Sequence, residues 1–119
     1  FTGWIDRSAM PSFYGLLDIY LHAAQLEPFG FVFTEAMMNA VPMVTTPTGA
    51  GLDAIEDGKS GILVERNGAA IAEGIVRMLQ LDRKAVGLAG REAAMRMYPF
   101  SNMWEGTMEV YRKSLARTK

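Results

Sequence analysis

Residues 18–45 read DIYLHAAQLEPFGFVFTEAMMNAVPMVT. The opening part, Asp18-Ile19-Tyr20-Leu21-His22-Ala23-Ala24, is rich in strand formers and too short for another helix, so it reads as a buried strand. Residues 25–32 carry Pro28 and Gly30 and read as a loop. Small and apolar residues then predict a helix over about Phe33–Asn39, and Val41-Pro42-Met43-Val44-Thr45 follows as a second buried strand. Two such strands joined across a helix run parallel, because the helix carries the chain back to the edge from which it started.

The flanks extend the same pattern. Upstream, Ser8 is expected to cap a short helix whose Met10, Phe13, Tyr14 and Leu17 share one face, with Pro11 in its first turn. Phe1-Thr2-Gly3-Trp4 reads as the end of a strand, so the chain is expected to be a piece of a longer protein. Downstream, the segment from Thr46 to Gly51 is a turn, a short helix is expected near Leu52–Glu56, and the turn Asp57–Gly61 leads into a strand at Ile62-Leu63-Val64. The rest reads as helix: one stripe at Ile71, Ile75, Met78 and Leu79, a second at Val86, Ala89, Ala93 and Met97 after the cap Asp82, and a third at Trp104, Met108, Tyr111 and Leu115 after Ser101. Pro99 separates the last two. The expected fold is α/β, a doubly wound parallel sheet with helices on both faces, in one domain: residues 1–98 form the βα core and its helices, and 101–119 a terminal helix.

Composition removes several function classes. Twelve Lys and Arg against 13 Asp and Glu leave a net charge of −1, which gives no general attraction to nucleic acid. The absence of cysteine excludes disulfides, thiolate zinc sites and thiol catalysis. One histidine, His22, and no Asp-x-Asp pair lead us to expect no metal site. Apolar runs are broken by Asp18, Glu35 and Asn39, no charged-then-apolar leader is seen, and the expected compartment is the cytosol. Residues 1–65 hold eight acids and two bases, whereas 66–119 hold five acids and ten bases; the basic half reads as solvated helix faces. The nine methionines read as core filler.

In a parallel sheet ligands sit beyond the carboxyl ends of the strands, here at loops 25–32 and 46–51. Pro28 favours an extended backbone at Glu27, which aims its carboxylate outward. Gly30 allows close approach of a ligand, and the amides of about Phe31, Val32 and Phe33 are free donors at a helix start, suited to phosphate. Glu35 is expected on the first helical turn, favoured by the helix dipole and shaped to accept both hydroxyls of a vicinal diol. Together they suggest a sugar–phosphate ligand with a second carboxylate over its far end. The rings of Phe29, Phe31 and Phe33 are expected in the core. His22, at the strand's end, suits either a hydrogen-bonded core imidazole or a contact to a sugar.

Glu27 and Glu35, with seven residues between them, resemble the E-x7-E signature of the retaining GT-B glycosyltransferases of family four, or group 1 type. The likeness runs through nearly the whole chain. Phe1-Thr2-Gly3-Trp4-Ile5 is similar to the family's F-x-G-x-V strand end and Leu17-Asp18-Ile19-Tyr20-Leu21 to its D-x-x-x strand. Glu35-Ala36-Met37 through Pro42-Met43-Val44 resembles E-A-M…G-x-P-V-V, Thr48-Gly49-Ala50-Gly51 the G-G loop, and Ile55-Glu56-Asp57-Gly58 through Gly61-Ile62-Leu63-Val64 the I-x-x-G-x-x-G-x-L-V block. Three features depart from the pattern: Pro28 replaces a Gly or Ser, Ala40 stands where a Gly precedes Val-Pro, and the basic G-R-x-x-x-x-K-G element is missing.

The resemblance implies the Rossmann-like C-terminal domain of a GT-B fold, binding a nucleotide-sugar donor. Glu27 would be the catalytic glutamate near the donor sugar, Glu35 the ligand of the ribose hydroxyls, and Gly30, Phe31 and Val32 the backbone contacts to diphosphate or sugar. Thr48 and Gly49 would shape the nucleotide cleft, and no metal or other cofactor would be needed. The basic element, the first βαβ unit and the acceptor domain would precede Phe1. The chain is thus expected to be the donor-binding portion of a transferase for polysaccharide or glycan synthesis, inactive alone. Its acceptor would be a glycan or lipid-linked glycan, met in the cytoplasm or at the inner face of the membrane. A non-catalytic nucleotide-sugar or interaction module of the same fold is the alternative; a generic nucleotide or signalling domain would need an acidic or Gly-rich first loop that the chain lacks. Without its first strands, the strand at 18–24 would have an open edge, so the chain alone is expected to dimerise or aggregate, or else to cover that edge with a rearranged N-terminal segment.

Overall fold

The computed structural model describes residues 1–117. Helix α1 spans Met10–Gly15, strand β1 Tyr20–His22, α2 Phe31–Met38, β2 Met43–Thr45, α3 Ala50–Ala54, β3 Ile62–Leu63, α4 Gly68–Gln80, α5 Arg83–Met97 and α6 Phe100–Arg117. The three strands form one parallel sheet in the order β1-β2-β3. Tyr20, Leu21 and His22 lie opposite Met43, Val44 and Thr45, and Val44 and Thr45 lie opposite Ile62 and Leu63.

Consecutive strand residues point to opposite faces, and β2 divides the core on that basis. Met43 packs with Tyr14 of α1, Phe33, Ala36 and Met37 of α2, Ala54 of α3, and Ala93 and Ala94 of α5. Val44 packs on the other side with Ile62, Val64, Met78 of α4 and Val86 at the start of α5. Helices therefore cover both faces, as the apolar pattern of β2 requires.

Several expectations about individual elements change. Pairing in the first strand is confined to Tyr20–His22, and Leu21 is exposed, because β1 has a neighbour on one side only. Phe1–Trp4 forms no strand: its residues are exposed and pair with no part of the sheet. Ser8 does not cap α1, whose N-cap Ala9 makes no side-chain bond; Ser8 lies in a preceding 3-10 turn, Arg7–Ala9, that Asp6 caps, its carboxylate accepting from the Ser8 amide at 2.9 Å. α2 begins at Phe31, two residues before the expected start, and α3 runs over Ala50–Ala54 instead of ending at Glu56. Asn67 caps α4 by accepting from the Ala70 amide, and Asp82 caps α5 as expected. Leu79 is exposed. Ser101 lies inside α6, which starts at Phe100, and that helix buries none of its described residues: Trp104, Tyr111 and Leu115 face solvent. Residues 118 and 119, the end of the expected terminal helix, lie outside the described residues. Among the described residues no helix is long and apolar enough to cross a membrane.

Candidate functional site

The loop between β1 and α2 leaves the carboxyl edge of the sheet and is tied to the loop after β2. The Thr46 amide donates to the His22 carbonyl at 3.1 Å, and the Thr46 hydroxyl to the Ala24 carbonyl at 2.6 Å. Two glycines let these loops close on each other. Gly49 has φ +52°, and a Cβ there would lie 2.6 Å from the Glu27 carbonyl oxygen and 2.8 Å from that of Phe29. Gly30, at φ +81°, caps α2 without a side chain, and a Cβ there would meet the Phe33 ring at 2.3 Å and Glu27 Cγ at 2.8 Å. Any other residue at either position would push the loops apart.

Glu27 is thus pressed between Gly30 and Gly49, with part of its side chain open to solvent. Its Oε2 stands 4.0 Å from His22 Nε2. The imidazole is packed edge-on against Phe33, 4.6 Å between ring centres, and its Nδ1 lies 3.3 Å from the Tyr20 hydroxyl. When that hydroxyl donates to Nδ1, the ring proton sits on Nε2, a buried atom with no hydrogen-bond partner, on the side of Glu27. His22 thus packs against Phe33 and stands beside Glu27 in the same geometry.

Glu35 is exposed and stands on the second turn of α2, not the first. The early helix start puts it beyond the reach of the helix-terminus dipole, which fades within one turn. A different group holds it: the Tyr14 hydroxyl donates to Oε2 at 3.0 Å. Burial and the Glu35 carboxylate push the Tyr14 phenol well above its ordinary ionisation range. The Tyr20 phenol is raised as well, by burial first and then by Glu35 and Glu27. Both carboxylates therefore act on one phenol.

The donor amides are fewer than expected. The Phe33 amide is taken by the Gly30 carbonyl at 2.9 Å, which leaves Phe31 and Val32 without a backbone acceptor. Of the three phenylalanines only Phe33 is core; Phe29 and Phe31 are exposed and stack edge to face, 5.1 Å apart, with Phe29 also against Tyr98. They wall one end of an apolar groove of about 820 Å³ that continues along Met38, Pro99 and Met103. Thr48 makes the turn into α3, its amide on the Thr46 carbonyl at 2.8 Å and its carbonyl accepting from Gly51 at 3.1 Å. Its hydroxyl is buried without a partner. Tyr14, Tyr20 and Thr46 are site residues that sequence reasoning missed. A tyrosine on a core stripe is itself a signal, since its buried hydroxyl needs an acceptor. Among the described residues no group of three or more His, Cys, Asp or Glu is placed to hold a metal ion.

Residues 1–94 match the family described as "Glycosyl transferases group 1". The capsular polysaccharide biosynthesis glycosyltransferase CapM of Staphylococcus aureus is 28% identical over 111 residues, covering 91% of this chain and 29% of that protein. A GDP-mannose-dependent alpha-mannosyltransferase of Mycolicibacterium smegmatis is 28% identical over 101 residues, covering 83% of this chain and 27% of that protein. Among solved structures, a sucrose-phosphate synthase from Thermosynechococcus elongatus superposes with a TM-score of 0.87 at 26% identity, over 98% of this chain and 30% of that one. The chain spans under a third of the length of each of these relatives.

Proposed function

Because the chain belongs to the glycosyl transferases group 1 family, we propose that it is the donor-binding part of a retaining glycosyltransferase, one that moves a sugar from a nucleotide-sugar to a glycan or lipid-linked glycan acceptor. Its α/β fold, a parallel sheet with helices on both faces, is part of the GT-B architecture of its structural neighbours. What carries the reading is the convergence of Glu27, Glu35 and the free amides of Phe31 and Val32 at one edge of the sheet. A relative whose name makes it GDP-mannose-dependent supports a nucleotide-sugar as donor, and a capsular polysaccharide transferase supports a glycan product.

In this reading the amides at the head of α2 take the donor diphosphate, where an orphan N–H and the helix terminus both favour negative charge. The Glu35 carboxylate accepts the ribose hydroxyls. As the bond from the sugar to the diphosphate breaks, positive charge develops at the anomeric carbon, and Glu27 faces it from a pocket closed by two glycines and Phe33. Thr48 and Gly49 hold the opposite wall of the cleft. The portion of the relatives that this chain does not span would supply the acceptor site and the basic groups for the leaving diphosphate, so the chain alone binds donor without turning it over. No metal is assigned a role.

The test is a steady-state comparison in the full-length protein, with donor varied at saturating acceptor. Glu35→Ala removes an interaction present in ground and transition states, so it raises the donor KM, by the equivalent of about 1.5–3 kcal/mol. Glu27→Gln keeps shape and removes charge, so kcat falls roughly 10²-fold with donor affinity little changed. If Glu27→Gln moves only KM, or Glu35→Ala only kcat, the two roles are wrongly assigned.

A further inference from the structure

An exposed glutamate on a helix samples several rotamers, and two hydroxyls of a vicinal diol need a carboxylate held in one plane. Glu35 gets no such restraint from its own helix, since it is exposed and one turn past the N-terminus. The restraint comes from α1. Tyr14 is 3% exposed, and its ring is fixed edge to face between Phe13 at 6.0 Å and Tyr20 at 6.1 Å. The hydroxyl of that immobile ring donates to Glu35 Oε2 at 3.0 Å.

We propose that Tyr14 is a positioning residue that sets the Glu35 carboxylate for a ribose diol, and through it the preference of the site for ribonucleotide over deoxyribonucleotide donors. This rests on the reading of Glu35 as the ribose ligand. The stereochemistry allows it: each carboxylate oxygen has two lone pairs, so Tyr14 uses one and leaves Oε1 whole and half of Oε2 for the two hydroxyls. Tyr14 also stays a donor at any working pH, because burial and Glu35 both oppose loss of its proton.

The experiment uses the full-length protein, with UDP and GDP and their 2′,3′-dideoxy counterparts as calorimetric probes. Tyr14→Phe keeps the ring and its packing, and the partner it leaves is solvent-exposed, so the fold survives. Expected is a loss of about fivefold to tenfold in affinity for the ribonucleoside diphosphate, with affinity for the dideoxy form unchanged. A purely structural tyrosine would move both affinities together or neither, and either result overturns the proposal. Glu35→Ala separates this from failure of the underlying reading. If it leaves the ribose-to-dideoxy ratio intact, or if neither diphosphate binds, Glu35 is not the ribose ligand and both readings fall. If it collapses the ratio while Tyr14→Phe preserves it, only the role of Tyr14 is lost. In the Glu35→Ala background Tyr14→Phe is expected to change nothing further, and an additional loss there counts against it.

Discussion

Ala40→Gly is expected to stabilise the protein, although it removes a methyl group and touches no ligand. Helix α2 ends in a six-residue hydrogen-bonded turn: the Ala40 amide donates to the Met37 carbonyl at 2.8 Å and the Val41 amide to the Ala36 carbonyl at 3.0 Å. That arrangement needs a left-handed residue between helix and strand, normally glycine. Here it is Ala40, at φ +56°, alone among the described non-glycine residues in having positive φ. An L-residue in that region costs about 1–2 kcal/mol. Glycine removes the cost but adds about 0.4–1 kcal/mol of unfolded-state entropy. The balance is a gain of roughly 0.5–1 kcal/mol, read as a higher urea midpoint at unchanged slope. Gly87→Ala is the control on the same turn. A Cβ at Gly87 would sit 2.0 Å from the Ala40 carbonyl oxygen and 2.8 Å from its carbon, so α5 would have to move away from the turn. Overpacking of about 1–3 kcal/mol then outweighs the gain of about 1 kcal/mol that alanine brings to a helix interior. A lower midpoint for Ala40→Gly, or a higher one for Gly87→Ala, would refute this account of the turn.

Three further outcomes follow from other parts of the molecule. Partial burial opposes ionisation of Asp57, but the Leu63 amide and the Arg77 guanidinium outweigh it and hold the carboxyl below its ordinary value. The stability it adds is present above pH ~4 and lost as pH falls through the depressed folded value; Asp57→Asn flattens that limb of the urea-midpoint profile by no more than about 1 kcal/mol, since both partners are nearly half exposed. The full-length protein is expected to keep most of its transferase activity in excess chelator, and a loss that only a divalent ion restores would remove the metal-free mechanism. Sedimentation of this chain alone is expected to show self-association through the unpaired edge of β1, weakened by Leu21→Lys, which puts a charge on that edge; a monomer with β1 open would contradict it.

The order of strands and helices was legible because the run Val41-Pro42-Met43-Val44 leading through β2 is apolar throughout and the turns around it carry Gly and Pro. Boundaries were harder wherever the deciding interaction lies outside the window. Phe31 and Val32 look like loop because no Ser, Thr, Asp or Asn precedes them; the cap is Gly30, which starts the helix by its backbone alone. The strand at β1 looks longer and more buried than it is because composition does not tell how many neighbours a strand has. The stripe Trp104, Met108, Tyr111 and Leu115 correctly announced a helix. Periodicity reports that a helix has an apolar face, not what covers it.

The site repeats this lesson with a chemical consequence. Glu27 could be placed from sequence because its neighbours Pro28 and Gly30 are local. Glu35 was placed on the right helix for a reason that does not hold, the dipole at a first turn it does not occupy. Moving the helix start back to Phe31 takes the carboxylate away from the terminal N–H groups, and something else has to orient it. That something is 21 residues away, on a helix whose stripe of Met10, Phe13, Tyr14 and Leu17 reads as plain core. The ring of Tyr14 fulfils that expectation and its hydroxyl does not, since a buried phenol needs an acceptor and the core offers none. Glu35 supplies the acceptor, so the hydrogen bond that satisfies the phenol also fixes the aim of the carboxylate.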